Sequence, residues 1–430
     1  MVSTARIAAS LTLVLATLAG AGCSSSESGT TTLTWYINPD NGGQATLAKT
    51  CTTAADGKYR IEIATLPNDA DGQRQQLVRR LAAEDSSIDL MSLDPVFSPE
   101  FAEAGFLRPF DKATATDLTD GVLDAPVKAA TWRDELVAAP FWANTQLLWY
   151  RKSVAARAGI DPATQPLTWD QVIKAAEQTD TTVEVQAKPY EGYMVLINAL
   201  IVSAGGEVLA DPDAGIDAKP SIDSEAGKKA AKIIRTLGRS SAADPQLSVS
   251  LEETARNGFQ ADNGGFMVNW PYVYGAAQAG VADGSLDQSV LDDIGWARYP
   301  RTVDGTESAP PLGGINLGVS AFTKHPQLVI DAVRCITSVK NQTVYMLAEG
   351  NPAARSAVYD DPEIQQKFPM ATLIRDSIDT AGARPQTPYY PDVSTAITTT
   401  FSPPASVQPG RTPARADDLI VKVLHDEALI

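Results

Sequence analysis

Apolar and polar positions along this chain fall into short alternating runs separated by longer runs of helical spacing. Leu33 to Ile37 (LTWYI) reads as a short aromatic strand, NPDNGG at 38–43 as a turn cluster, and Gln44 to Thr50 as a helix. Tyr59 to Leu66 alternates like a second strand, Gln73 to Ala83 has helical spacing, and Ile88 to Leu93 (IDLMSL) is a third strand ending in Asp94 and Pro95. Strand and helix in this alternation predict a parallel, doubly wound α/β lobe. Ligands of open α/β sheets bind outside the carboxyl ends of the strands, so Asp40 and Asn41 are candidate contacts, with a plain turn as the alternative.

Ser98 to Gly105 reads as a short helix, and Leu136 to Phe141 leads through Pro140 into NTQLLWYRK at 144–152, amide and hydroxyl at its start and aromatic at its centre. This stretch is expected to carry the chain across a ligand cleft into a second lobe, with Asn144 to Gln146 facing the ligand and Leu147 to Tyr150 entering the core. An ordinary buried strand is the alternative. Beyond it, Leu167 to Gln178 carries a capping box, Thr168 with Gln171. Tyr193 to Ser203 is an apolar helix, and Ser224 to Leu237 another with Lys and Arg outward, so the second lobe is expected to be rich in helix. The strand Phe266 to Trp270 should deliver Trp270, Pro271, Tyr272 and Tyr274 into a loop, where an aromatic ring can stack on the apolar face of a sugar; core packing is the competing fate. Gly313 and Gly314 precede a further strand and permit either close approach of backbone to a ligand or a sharp crossing. A helix from Pro326 to Val339 then carries Cys335.

Composition changes the picture in three places. At 430 residues the chain exceeds what one core usually organises, and 44% hydrophobic with 20% charged residues is ordinary globular composition. A formal net charge of -17 repels a polyanion, which argues against a nucleic-acid partner. Arg6 followed by the apolar run Ile7 to Leu18 is too brief to span a membrane comfortably and reads as an export signal. Small residues then lead into Cys23, which resembles a lipoprotein processing site, although Gly20 stands where a larger aliphatic residue is more usual; cleavage without lipid is the alternative. The following Ser, Gly and Thr suit a flexible tether. Cys51 and Cys335 remain as a pair in an exported chain, for which a disulfide is the leading reading and two free buried thiols the other. With two histidines and neither CxxC nor HExxH, a metal site or a histidine-based catalytic centre has little material, and no cofactor is expected.

The order of LTWYINPDNGG, MSLD, EFAEAGFLRPF, NTQLLWYRK, LTWDQV, LIVSAGGEVL, MVNWPYVY, GGINLGVS and AEGNPAARSAVYDDP resembles the extracellular solute-binding proteins of ABC importers, in the class that binds oligosaccharides. More narrowly, AVRC with a partner cysteine near the N-terminus, NTQLLWY, VSAGG, VNWP and RPQTPYY are similar to the trehalose-binding lipoproteins of actinobacterial importers. The resemblance implies two doubly wound α/β lobes joined by hinge crossings, with a disaccharide between them, closure on binding, a membrane permease as partner and a monomeric receptor. It implies a signal peptide at 1–22, a lipidated cysteine and tether at 23–32, a first lobe from 33–144 with 314–350, and a second from 145–313 with 351–430. Carried over by position, the ligand contacts are Asp40, Asn41, Asp94, Asn144, Glu252 (with Glu253 beside it as the alternative), Trp270, Tyr272, Gly313, Gly314 and Arg384. Carboxylate acceptors, an arginine donor, an amide and an aromatic platform are what a neutral, hydroxyl-rich disaccharide requires. Arg384 could instead be an interlobe salt-bridge partner. Two other functions compete with a trehalose receptor: an exported glycoside hydrolase using Asp94 and Glu252, and a receptor for a different solute such as maltose, a polyol or a glycerophosphodiester.

Overall fold

A computed structural model describes residues 30–429; the expected signal segment 1–22, Cys23 and most of the expected tether lie outside the described residues. In chain order the strands are β1 Thr31–Ile37, β2 Tyr59–Thr65, β3 Leu90–Leu93, β4 Thr131–Trp132, β5 Glu135–Leu136, β6 Ala139–Asn144, β7 Leu147–Arg151, β8 Thr182–Glu184, β9 Leu209–Ala210, β10 Lys219–Pro220, β11 Gly264–Asn269, β12 Ile294–Ala297 and β13 Gly313–Val319. Five of them form one sheet in the order β2-β1-β3-β13-β6, and four form a second in the order β12-β7-β11-β8; β4 with β5 and β9 with β10 are small ribbons. In the first sheet β1 runs parallel to β2 and β3, while β13 runs against both β3 and β6. In the second, β11 is parallel to β8 and antiparallel to β7. Both sheets are flanked by helices, giving two α/β lobes.

The first crossing lies inside the predicted stretch but is sharper than expected. β6 closes the first sheet at Asn144 and β7 opens the second at Leu147, so Thr145 and Gln146 alone make the passage. Leu147, Leu148, Trp149 and Tyr150 are buried, and the Trp149 indole donates to the Asn269 carbonyl at 2.9 Å, so the aromatic centre is core. The chain returns to the first sheet through β13.

Local chemistry sets the helix boundaries. The Thr168 hydroxyl and Gln171 side chain close the predicted capping box of helix Trp169–Thr179. The helix expected to run to Val339 stops at Ile336, because Ser338 caps a new helix, Val339–Glu349, by accepting from Asn341 N–H. Tyr272 and Tyr274, expected in a loop, lie in helix Tyr272–Asp283, which Pro271 introduces; Tyr274 stacks on Trp149 with centroids 6.4 Å apart, and so belongs to packing.

Cys51 and Cys335 are bonded, Cα to Cα 5.8 Å, tying helix Gly43–Ala54 to helix Pro326–Ile336. A separate apolar cluster draws Ala143 of β6, Met267 of β11 and Ile374 of helix Ala371–Asp379 together, so the segment after Gly350 packs where the two sheets meet. The last helices, Tyr390–Thr400 and Thr412–Leu424, pack with helices Glu191–Val202 and Glu225–Arg239 of the second lobe.

Candidate functional site

A cavity of about 670 Å³ opens between the facing edges of the two sheets. From the first lobe it is bordered by Asn38 after β1, by Asn68, Asp69, Asp71 and Gln73 at the start of helix Ala70–Leu81, by Asp94 after β3, and by Trp142, Asn144, Gly313 and Gly314 on β6 and β13. From the second come Lys188, Tyr190, Glu191, Glu252, Trp270, Tyr272 and Arg384. The strand ends explain this convergence. β1, β3 and β6 finish on the edge where the antiparallel β13 begins, so four strands of one sheet deliver side chains to one place.

Trp142 and Asn144 are two apart on β6 and so share a face. Of the trio expected to face a ligand, only Asn144 borders the cavity; Thr145 and Gln146 are turned inward, and Gln146 donates to the Gln186 side chain at 2.9 Å. Asn269, fully buried at the end of β11, organises the opposite wall: its Nδ2 donates to the Glu252 carbonyl at 3.0 Å and its Oδ1 accepts from the Trp270 backbone at 2.8 Å. One amide thus fixes both predicted contacts. Glu252 points inward and its Oε2 accepts from the Tyr190 hydroxyl at 2.6 Å, whereas Glu253 is paired with Arg256 at 2.5 Å outside the cavity lining. Burial and the adjacent Glu252 push Tyr190 far above its ordinary pKa, so its hydroxyl remains a donor.

Both glycines border the cavity, and the contacts that require them are with the protein itself. A Cβ on Gly313 would lie 2.9 Å from the Trp270 ring, so its absence lets the indole rest against β13. Gly314 has φ +122°, and a Cβ there would meet the Trp142 carbonyl at 2.3 Å.

Arg384 is 3% exposed and bridges the walls: it donates to Asp94 at 2.6 Å and to Glu191 at 2.5 Å. The interlobe salt bridge anticipated as an alternative is therefore present, in a residue that also borders the cavity. Surrounding carboxylates hold the guanidinium well above its ordinary pKa despite burial. The lining has five acids, Asp69, Asp71, Asp94, Glu191 and Glu252, against two cations, Lys188 and Arg384. Burial and the neighbouring Asp69 raise the Asp71 carboxyl, as expected where like charges share a low-dielectric wall.

Asp40 and Asn41 are not brought into this cavity. Asp40 accepts from the backbone N–H of Gly42 at 3.0 Å and of Gln44 at 2.7 Å, closing the start of helix Gly43–Ala54, and Asn41 is held by Glu349 through its backbone at 3.0 Å and its side chain at 3.1 Å. The orphan N–H groups of the helix start capture Asp40 locally, while Asn41 is taken by the distant Glu349 carboxylate. They border a separate cavity of about 550 Å³ on the other side of Tyr272, whose carboxylates, Asp40 and Glu349, are already engaged by that helix start. The larger cavity joins both sheets and the aromatic wall, and we take it as the site.

Residues 52–343 match the family model described as bacterial extracellular solute-binding protein, which covers more than half of the chain. The chain belongs to that family. A probable ABC transporter-binding protein of Deinococcus radiodurans is 27% identical over 337 residues, 76% of each chain. Among solved structures, maltose-bound MalE3 of T. maritima superposes with a TM-score of 0.78 at 24% identity, over 93% of this chain and all of the other. A solute-binding protein of Agrobacterium vitis with bound D-mannitol gives 0.70 at 21% identity, over 92% of this chain and 97% of that one. These likenesses establish the two-lobed fold of the maltose-binding class.

As an extracellular solute-binding protein the chain is not an enzyme, so Asp94 and Glu252 are not a hydrolytic pair. Residues that sequence reasoning missed at the cavity are Asn38, Trp142, Lys188, Tyr190, Glu191 and the helix start Asn68 to Gln73. Trp142 was legible from its spacing to Asn144 on β6.

Proposed function

We propose that this protein is the receptor of an ABC importer for a neutral disaccharide, trehalose first, which it delivers to a membrane permease from the outer face of the cytoplasmic membrane, anchored through an acylated Cys23. The observation that carries the reading is that one cavity gathers Trp270, whose ring rests against Gly313 of β13, with carboxylates and amides of the first lobe. An indole offers a flat apolar face to a pyranose ring, while Asp94, Glu252, Asn144 and Arg384 match hydroxyls that both donate and accept. A sugar that left one of these buried groups unpaired would lose about 1 to 3 kcal/mol, the basis for choosing between epimers. The motif resemblance of the sequence supports trehalose over other disaccharides.

A glycerophosphodiester fits poorly, because its negative charge would meet five acids and two cations, one already shared by two carboxylates. A polyol is favoured by the likeness to the mannitol-bound protein, but a linear polyol has no ring face for Trp270. Calorimetry with trehalose, maltose, sucrose and D-mannitol at equal concentration decides. Trehalose should bind with the greatest affinity; if it fails while another solute binds, the trehalose reading is wrong. Acylation is checked by mass analysis of the native protein, which should show lipid that Cys23→Ala removes.

A further inference from the structure

The guanidinium of Arg384 is gripped from both sides of the cleft. Its Nη1 donates to Glu191 Oε1 at 2.5 Å and its Nη2 to Asp94 Oδ1 at 2.6 Å. Arg384 and Glu191 belong to the second wall, since Asn198 of helix Glu191–Val202 donates to the Ala383 carbonyl at 3.2 Å. Asp94 follows β3 of the first sheet. The Phe97 and Tyr390 rings meet across the same seam, centroids 6.1 Å apart.

The two carboxylates are used differently. Glu191 Oε1 also accepts from the Tyr390 hydroxyl, and Oε2 accepts from Ser394 Oγ at 3.0 Å, so both oxygens are engaged on Glu191's own side. Asp94 Oδ1 takes Arg384 and the Val96 backbone N–H, which leaves Oδ2 without a protein donor among the described residues. Arg384 Nε–H is likewise buried without a protein partner. A donor on Arg384 and an acceptor on Asp94 therefore stay unengaged on either side of one ion pair.

We propose that Glu191 is the positioning residue of an interlobe latch: with Tyr390 and Ser394 it anchors Arg384 to the second lobe, so that the Arg384–Asp94 pair ties the two lobes together and offers a fixed donor and acceptor to adjoining hydroxyls of the ligand. An arginine has many rotamers. Held by Asp94 alone it would travel with the first lobe when the cleft opened; held also by Glu191 it resists that opening. The hydroxyl-recognition half rests on the sugar-receptor reading, whereas the tie between lobes does not.

Small-angle X-ray scattering of the ligand-free protein tests the tie directly. Glu191→Gln should keep its near-UV circular dichroism yet show a larger radius of gyration than wild type, as Asp94→Asn should, and the double variant should be no more open than Asp94→Asn alone. Affinity for the sugar that wild type prefers should fall about tenfold in Glu191→Gln, the scale of a disturbed charged hydrogen bond. If Glu191→Gln does not fold, Tyr390→Phe removes one of the anchoring donors with little change of shape and should open the cleft in the same direction. Scattering from the folded variant that superimposes on wild type, or openings that simply add in the double variant, overturns the latch. Wild type that binds no sugar of the panel, with the scattering difference intact, refutes the sugar-receptor reading instead and leaves the latch standing.

Discussion

Asp40 and Asp94 occupy equivalent places, each in the loop that follows a strand of the first sheet, and the fold uses them in opposite ways. Asp40 turns back on its own helix and accepts two backbone N–H groups within four residues, while Asp94 reaches across the cleft to a guanidinium 290 residues away. Glu184, the last residue of β8, is a third case: it is 1% exposed, accepts from the Thr182 hydroxyl at 2.6 Å, and burial pushes its carboxyl up to about 8. A strand-end acid is thus a structural cap, an ion-pair partner across the cleft or a buried neutral acid, according to which donors the tertiary fold brings near.

Substitutions that separate these roles range from large to small effect. Cys51→Ser removes the bond that holds the Asp40 helix to the later chain, and closing a loop of that length is worth at most about 5 kcal/mol. Thermal unfolding should shift markedly downward while sugar affinity stays within about twofold; lost binding would show that the Asp40 side belongs to the site after all. Glu184→Gln tests the neutral acid. Its folded pKa is raised above the ordinary 4.5, so the stability tied to its protonated form is complete below that value and is lost as pH rises through about 8. The variant should match wild type near pH 4.5 and exceed it by a few kcal/mol above pH 8, because a tenfold change in proton affinity is worth roughly 1.4 kcal/mol. Denaturant midpoints at the two pH values that move in parallel would contradict this.

Asp94→Asn should weaken disaccharide binding by about 3 kcal/mol, roughly a hundredfold, because Arg384 loses the partner that faces the ligand. Trp270→Ala should cost about 1 kcal/mol or more of binding with the fold intact, and unchanged affinity in calorimetry would end its role as a platform. Asp40→Ala should cost about 1 kcal/mol of stability through the uncapped helix and leave affinity unaltered. A binding loss in Asp40→Ala as large as in Asp94→Asn would erase the distinction between the two loops.

Much of the architecture was legible because it is written in local periodicity. The strand runs at 33–37, 59–66 and 266–270, the capping box at Thr168 and the crossing after Asn144 all follow from side-chain alternation and short-range hydrogen bonding, and the structure shifts their ends by only a few residues. Trp270, Glu252 and Asn144 were placed at the cleft by motif resemblance, and they border the cavity. Asp40 and Asn41 could not be resolved from the sequence, since a turn acid before a helix reads the same whether it caps the helix or meets a ligand. The wall from Lys188 to Glu191 was invisible for another reason: it has no motif and gains meaning only from Arg384 and Tyr390, close to two hundred residues later.

By itself the sequence determined the repeated strand and helix units, the position of the first crossing, the residue types available for a sugar and the pairing candidates Cys51 and Cys335. Only the tertiary structure decided which acid meets which donor, that Gly313 makes room for the Trp270 ring, and that Arg384 bridges two lobes. Periodicity and capping act over a few residues and leave their mark on neighbouring positions, whereas an ion pair or a ring contact depends on which distant strand ends the fold brings to one edge.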